Sequence, residues 1–518
     1  MTPTATDWEA LQAAIAGRVV LPGAPDYDSV HRPVMARFEH LRPAAVVLCQ
    51  TPADVSATIA FARRIHLRAA IRSGGHSVAG RSSTDGLVID VTPMGSVQVA
   101  GEVATVGAGV RLGGLYDALA EHGLTVPAGC GPSVGIAVLT LGGGIGILGR
   151  TYGLTCDHLL QAQVVLADGR VVDCDQHHDQ ELFWALRGAG GGNFGVVTSL
   201  AFRTVPAPPA TVFQLAWPLA HAATVIQAWQ AWAPTAPDEL DATLRLTAAG
   251  DGERPPQVDL IGAVLGSEAD AAKLLDQLVA RAGADPAAAV RRQLPYRAAK
   301  RYLDRLGSVD DQHQGAAPGQ PQGHLFTKSE FFRQPLPSDT VTALLAHLAR
   351  GLAGGSWREV TFTPWGGAYN RVLPDATAFV HRGELFLVQH LVTISPDAPT
   401  IVRGAARGWL ARSWALVHPW GSGGVYPNFP DPDLEDWAQA YYGSNYDRLV
   451  RVKARYDPDQ LFRFHQSLPA YAPGHGAPVA LGAPRRSPIS TTPDPPMQAR
   501  RPRRDAPRWP GAHGDGQR

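Results

Sequence analysis

Cysteine is scarce in this chain, with four among 518 residues. That is too few for a disulfide framework, and no CxxC pair suggests a zinc site. No apolar run reaches the roughly 18 residues that a membrane span needs. The opening residues, MTPTATDWEALQAAIAG, lack a basic region followed by a long apolar stretch. An excess of either charge is also missing: Lys+Arg and Asp+Glu number 46 each. Balance of that kind weighs against electrostatic capture of the whole protein by nucleic acid or a membrane surface. The expectation is a soluble, cytoplasmic protein that binds neither. Charged residues are 18% and hydrophobic residues 45%, which suits a large core rather than disorder. At roughly 100–200 residues per domain, two or three domains are expected.

Glycine and proline are what the chain has in excess. There are 55 Gly (about 11%) and 43 Pro (about 8%), against averages of roughly 7% and 5%. Twenty of the glycines fall between residues 72 and 153. In a segment that is not of low complexity, such density implies tight turns and backbone packed close to a ligand. A short helix is read around Trp8–Ala16. Ala44–Leu48 reads as a strand, Thr51-Pro-Ala-Asp54 as a helix start and Arg68–Arg72 as the next strand. Short strands follow at Leu87–Val91, Val97–Val99 and Val103–Val106. From about residue 207 the pattern becomes strands at Thr211–Leu219, Ala242–Thr247, Gln257–Val264 and Leu385–Val392. Helices are expected through Leu274–Val279, Thr340–Arg350 and Asp447–Ala454. Residues 473–518 hold 10 Pro, 8 Arg and 3 Asp and scarcely any large apolar side chain. They are read as a disordered basic tail carrying +5, which leaves −5 for residues 1–472.

Two glycine loops carry candidate chemistry. Gly144-Ile-Gly146-Ile-Leu-Gly149 satisfies GxGxxG after the apolar run Val134–Leu141, with Asp168 about 20 residues on. That permits an NAD-dependent Rossmann dehydrogenase. Against it, Gly149, Thr151, Tyr152 and Gly153 break the helix the motif requires, and Asp168-Gly169 reads as a hairpin turn. The second loop, Arg72-Ser-Gly-Gly-His-Ser77, closes a strand with consecutive N–H groups, a nest for phosphate oxygens. His76 sits at its centre.

The run from Arg72 to Gly80, followed by Gly86-Leu-Val-Ile-Asp-Val91, resembles the flavin-attachment segment of the vanillyl-alcohol-oxidase (PCMH-type FAD-binding) superfamily. More closely it resembles the berberine-bridge-enzyme-like FAD-linked oxidases. The resemblance continues through Leu139-Thr-Leu-Gly-Gly-Gly144, Tyr152–Asp157, Leu182–Gly188 and Gly192-Asn-Phe-Gly-Val196. It returns at Ala376–Phe379, His381-Arg382, Tyr426-Pro-Asn428 and Tyr441–Gln466, so it spans about residues 40–470. It implies an α+β fold. An FAD-binding domain of two α+β subdomains (1–206, with its core about 40–206) is followed by a substrate domain on a large antiparallel sheet with flanking helices (207–415). A final segment (416–472) returns to the flavin, ahead of the 473–518 tail.

The same resemblance implies FAD linked covalently through His76. It places cofactor contacts at Arg72, Ser73, Gly74, Gly75, Ser77 and Gly80, then at Gly129, Ser133, Val134 and Gly135. Further contacts would come from Gly142, Gly143, Asp157, Gly192, Val196, Asn428 and Gln466. Many relatives add a Cys link to flavin C6. Counted back from Gly142, that position falls on Gly131, with Cys130 one residue early; either the turn shifts so that Cys130 reaches, or His76 acts alone. The single link is favoured. Cys49, Cys156 and Cys174 are read as buried thiols.

On the substrate side Tyr426 matches the family tyrosine nearest to proton removal, and Gln389 a strand position that faces substrate. An amide cannot be a general base, so Gln389 would orient. The resemblance implies an oxidase that passes a hydride from an alcohol, on a sugar or secondary metabolite, to flavin, with O2 giving H2O2. An amine or C–C-bond-forming oxidase on the same fold is the alternative. The partners expected are a small-molecule substrate and O2, in a monomer or homodimer. His177-His178 with Asp173, Asp175 and Asp179 is read as a solvated loop rather than a metal site. His381 is read as structural and Glu384 as a turn charge.

Overall fold

The computed structural model describes residues 3–250, 255–307, 323–352 and 354–470. The 473–518 segment lies outside them. The chain is α+β. Its first sheet has four strands in the order Arg18–Val20, Ala45–Leu48, Leu87–Asp90 and Ala69–Arg72, the last three parallel. The crossover between two of them is the helix Pro52–Ile65. Thr51 accepts from the Asp54 N–H and Asp54 reaches back to Thr51, with proline in the first turn. This capping box satisfies N–H groups that a helix start leaves open. Val55, Ile59 and Ile65 are buried beneath the helix, as their spacing predicts.

A second sheet is wholly antiparallel: Val97–Ala100, Val103–Gly107, Gly195–Arg203, Leu159–Leu166 and Val171–Asp175. The third has seven antiparallel strands, ordered Ala288–Leu294, Ala210–Pro218, Gln257–Val264, Leu240–Ala249, Trp357–Pro364, Phe386–Ile394 and His324–Phe332. Alternation along these strands separates two faces. Leu244, Leu246, Leu260, Val360, Phe362 and Val388 are buried in one cluster with the helices Ala222–Trp232, Glu268–Ala282, Ser338–Leu348 and Thr400–Val417. Trp229 anchors it: its indole donates to Ala242 O at 2.7 Å and its ring meets Phe362 and Phe386 edge-on at 5.8 Å. The opposite face carries Asp259, Arg245, Glu359, Thr361, Gln389 and Thr327.

The dinucleotide reading of Gly144–Gly149 does not survive. The apolar run before it is a helix, Ile136–Leu141, not a strand, and the motif opens only the four-residue helix Gly149–Tyr152. Asp168 sits in a turn, exposed and paired with Arg170 at 2.7 Å. Among the described residues no metal-holding cluster occurs and no helix is long and apolar enough to cross a membrane.

Candidate functional site

The strand Ala69–Arg72 delivers the loop 73–84 into a cavity of about 640 Å³, within the range of small-molecule and cofactor pockets. Its wall takes Ser73, Gly74, Gly75, His76, Ser77 and Gly80 from that loop. Val134, Gly192, Asn428 and Gln466 join from three distant parts of the chain. Glycine makes the approach of these segments possible. A Cβ on Gly74 would lie 2.5 Å from Gly135 N, and one on Gly135 2.4 Å from Ser73 Oγ, so the two loops touch backbone to backbone. At Gly142 a Cβ would fall 2.1 Å from Asn428 Oδ1. Asn428 in turn donates to Leu139 O at 2.8 Å and to the Tyr426 hydroxyl at 3.1 Å.

His76 is the chemically open group on this wall. Its Nε2 is shielded from solvent and has no hydrogen-bond partner. Burial, with the Arg111 charge adding to it, pushes the imidazole pKa down to about 4 against the Ser133 backbone, which favours the charged form. The ring is therefore neutral at pH 7. His381 and His390 are likewise held at about 3, chiefly by burial. His381 and His390 lie below the unfolded value of about 6.5, so the unfolded chain takes up protons that the folded one refuses. Their contribution is intact above about pH 6.5 and is lost as pH falls toward 4. Urea midpoints are expected to drop between pH 7.5 and 5; equal midpoints would contradict this.

Several residues expected to contact the cofactor do not line this cavity. The Arg72 guanidinium is buried away from the cavity and donates to Val30 O, His31 O and Ser82 O at 2.8–3.2 Å. It braces the loop rather than lining it. Asp157 forms a two-point ion pair with Arg382 at 2.6 and 2.9 Å and accepts from Leu154 N. Val196 points into the core, and its neighbours Gly195 and Val197 line the wall instead; the period of two shifts the expected residue by one. Gly129, Ser133, Gly135, Gly142 and Gly143 are not among the residues that line this cavity. Gly129 O accepts from the Tyr116 hydroxyl at 2.5 Å, and Gly143, at φ +120°, packs under Phe379 and Tyr426.

Cys130 also lies off the wall. It packs among Ile147, Leu148 and Tyr296, where burial raises its thiol pKa despite the nearby Lys300. Cys49, Cys156 and Cys174 are buried and unpaired, as read. His177 and His178 lie in a turn closed by hydrogen bonds to Asp175. Glu384 is not a turn charge in solvent: it is fully buried and meets Arg333 at 2.8 Å. His381 is structural, stacked on Phe331 at 4.7 Å.

Tyr426 is 1% exposed and closed off from the cavity. Its hydroxyl accepts from Gly144 N at 2.9 Å and from Asn428, while burial drives its pKa above the ordinary phenol value. A general base needs the reverse shift. Gln389 is half-buried on the polar face of the seven-stranded sheet and donates to Thr327 Oγ1 at 3.0 Å. Sequence reasoning missed Glu359 on the same face, whose carboxylate accepts from Thr361 Oγ1 at 2.8 Å and from the Trp357 indole at 3.4 Å. No Lys or Arg pairs with it among the described residues. Arg81 and Phe464 on the cavity wall were missed too, although Arg81 directly follows the glycine run already singled out.

The cavity suits FAD on this structure's own terms. It has the volume, a cradle of glycine backbone beside the loop 73–77, and an imidazole nitrogen with nothing else to bind. Comparison with known proteins agrees. Residues 43–175 match the family described as "FAD binding domain", and residues 425–469 the family "Berberine and berberine like". An uncharacterized FAD-linked oxidoreductase of Bacillus subtilis is 33% identical over 467 residues, 88% of this chain and 97% of the relative. A chitooligosaccharide oxidase of Gibberella zeae is 31% identical over 450 residues, 82% of this chain and 87% of the relative. Among solved structures, the BBE-like 1 protein of Physcomitrella patens superposes with a TM-score of 0.80 at 28% identity, covering 90% of this chain and 99% of the other.

Proposed function

This chain belongs to the berberine-bridge-enzyme-like family of FAD-linked oxidoreductases, and from that premise we propose that it oxidises an alcohol, on a sugar or a secondary metabolite, with FAD tethered through His76. FAD, when bound, would supply the hydride acceptor, with O2 as the final oxidant giving H2O2. The observation that carries the reading is the neutral, unpartnered Nε2 of His76 on the wall of an FAD-sized cavity. Only a neutral imidazole has a lone pair to bond with, and a tethered flavin cannot dissociate. One link suffices, because Cys130 faces a different cluster. The reading keeps a small-molecule substrate and O2 as the partners, in a cytoplasmic monomer or homodimer.

The alcohol assignment rests on the sheet face that holds Gln389, Thr327, Thr361 and Glu359, whose hydroxyl, amide and carboxylate groups match hydroxyls. A chitooligosaccharide oxidase among the relatives supports it. Gln389 orients the substrate, Glu359 takes the hydroxyl proton, and Tyr426 holds Gly144 and Asn428 in place. Glu359→Gln is expected to cut kcat by roughly 10²-fold or more, as loss of a general base does. Tyr426→Phe removes the hydroxyl that accepts from Gly144 N and Asn428, each bond worth about 1 kcal/mol net, and is expected to cost less in kcat than Glu359→Gln. The opposite ranking would exchange their roles. The class is tested by anaerobic titration of the yellow protein. Alcohols should bleach it, with one H2O2 released per turnover on admitting air. Bleaching by amines alone would favour the amine or C–C-bond-forming alternative.

A further inference from the structure

One cation on the cavity wall, Arg81, has no partner of opposite charge among the described residues. Arg81 follows the glycine loop, with its N–H donating to Ser77 Oγ at 3.0 Å. Its guanidinium lies over the Phe464 ring at 4.4 Å and donates to Gln466 Oε1 at 3.3 Å, while its Nε is buried with no acceptor. The groups around it are neutral: Phe464, Gln466, and the phenols of Tyr441 and Tyr442. The other wall cations are satisfied or wet. Arg68 is exposed and pairs with Asp85 at 2.8 Å, and Arg463 and His465 are exposed.

An arginine stays protonated in proteins, and a charge withdrawn from water without a counter-ion costs several kcal/mol. A site that keeps one part-buried on a cavity wall is suited to an anion. We propose that Arg81 is the counter-charge for bound FAD, held in position by Phe464 and Gln466. The proposal rests on the FAD reading above. FAD offers negative charge in two places, the permanent diphosphate and the ring once reduced, and a fixed cation favours whichever it faces.

The test compares Arg81→Gln and Arg81→Lys with the parent and with Arg412→Gln, an exposed control. Two readouts avoid turnover: the reduction potential of the purified full-length holoprotein, and ADP affinity in the His76→Ala background, where the cofactor site can be emptied. Arg81→Gln is expected to shift one of them at least tenfold, which for the two-electron potential is about 30 mV. A change in ADP binding assigns the charge to the diphosphate, and a lower potential with ADP binding intact assigns it to the ring. Arg81→Lys should keep most of the effect, which separates charge from packing. Both readouts within twofold of the parent in Arg81→Gln would overturn the proposal while leaving the FAD reading standing. A parent that binds no flavin would overturn that reading and the proposal with it.

Discussion

His76→Ala is expected to yield protein whose acid-precipitated pellet is colourless, where the parent's pellet stays yellow. The reason is local. His76 is the wall residue with a neutral nitrogen that nothing in the fold engages, and removing it takes away the nucleophile proposed for the flavin. The cradle itself is mostly backbone, drawn from Gly74, Gly75 and Gly192, so the variant should still bind FAD reversibly and be yellow before precipitation. Cys130→Ser should keep acid-stable flavin in full, because that side chain packs against Ile147, Leu148 and Tyr296. A yellow pellet from His76→Ala would move the link elsewhere. A colourless pellet from Cys130→Ser would show that the turn at 130–131 rearranges when the cofactor binds.

The second large effect is on stability. Lys453 and Asp457 form an ion pair at 2.6 Å with both side chains fully buried. The ammonium also donates to Asn193 O at 2.6 Å and Phe462 O at 2.7 Å, and the carboxylate accepts from Leu461 N and Phe462 N. This one cation ties the helix Tyr446–Tyr456 to the Gly192 loop and sets the course of the segment that brings Phe464 and Gln466 to the cavity. Lys453→Ala strands a buried carboxylate and two carbonyls and is expected to cost roughly 3–5 kcal/mol. Lys453→Met with Asp457→Asn removes both charges and should cost less. Urea unfolding followed by tryptophan fluorescence measures both variants. A loss under about 1 kcal/mol for Lys453→Ala would mean that water reaches the pair.

What could be read beforehand followed from local rules. Thr51-Pro-Ala-Asp54 announced its helix because a capping box is written within four residues. The glycines at 72–153 announced close backbone approach because no other residue permits it. Some strands, such as Gln257–Val264, were found to the residue. Others hid their nature. Trp357–Pro364 places Arg358 on the helix-facing side, where it reads as solvent-exposed. It is in fact buried and donates to Leu348 O, Arg350 O and Gly351 O at the end of the helix Ser338–Leu348. Ala288–Leu294 is an edge strand with mostly exposed side chains and no apolar signal to read.

The site divides the same way. The motif loops named its wall, but side-chain direction could not be read from them. Arg72 and Asp157 sit within matching motifs and yet turn away to brace the structure. Tyr426 carries the right chemistry and is sealed behind Phe379 and Phe429. Glu359 and Arg81 went unnoticed because their significance is that no opposite charge pairs with them among the described residues, which appears only once every neighbour is in place.

The central claim, one FAD held by His76 alone, is tested most directly by denaturing the full-length protein, digesting it and locating flavin by mass spectrometry. The account predicts flavin mass on the peptide that contains His76, with the Cys130 peptide unmodified. A cross-linked species containing both peptides would contradict the single link, and free FAD with an unmodified His76 peptide would contradict the attachment itself.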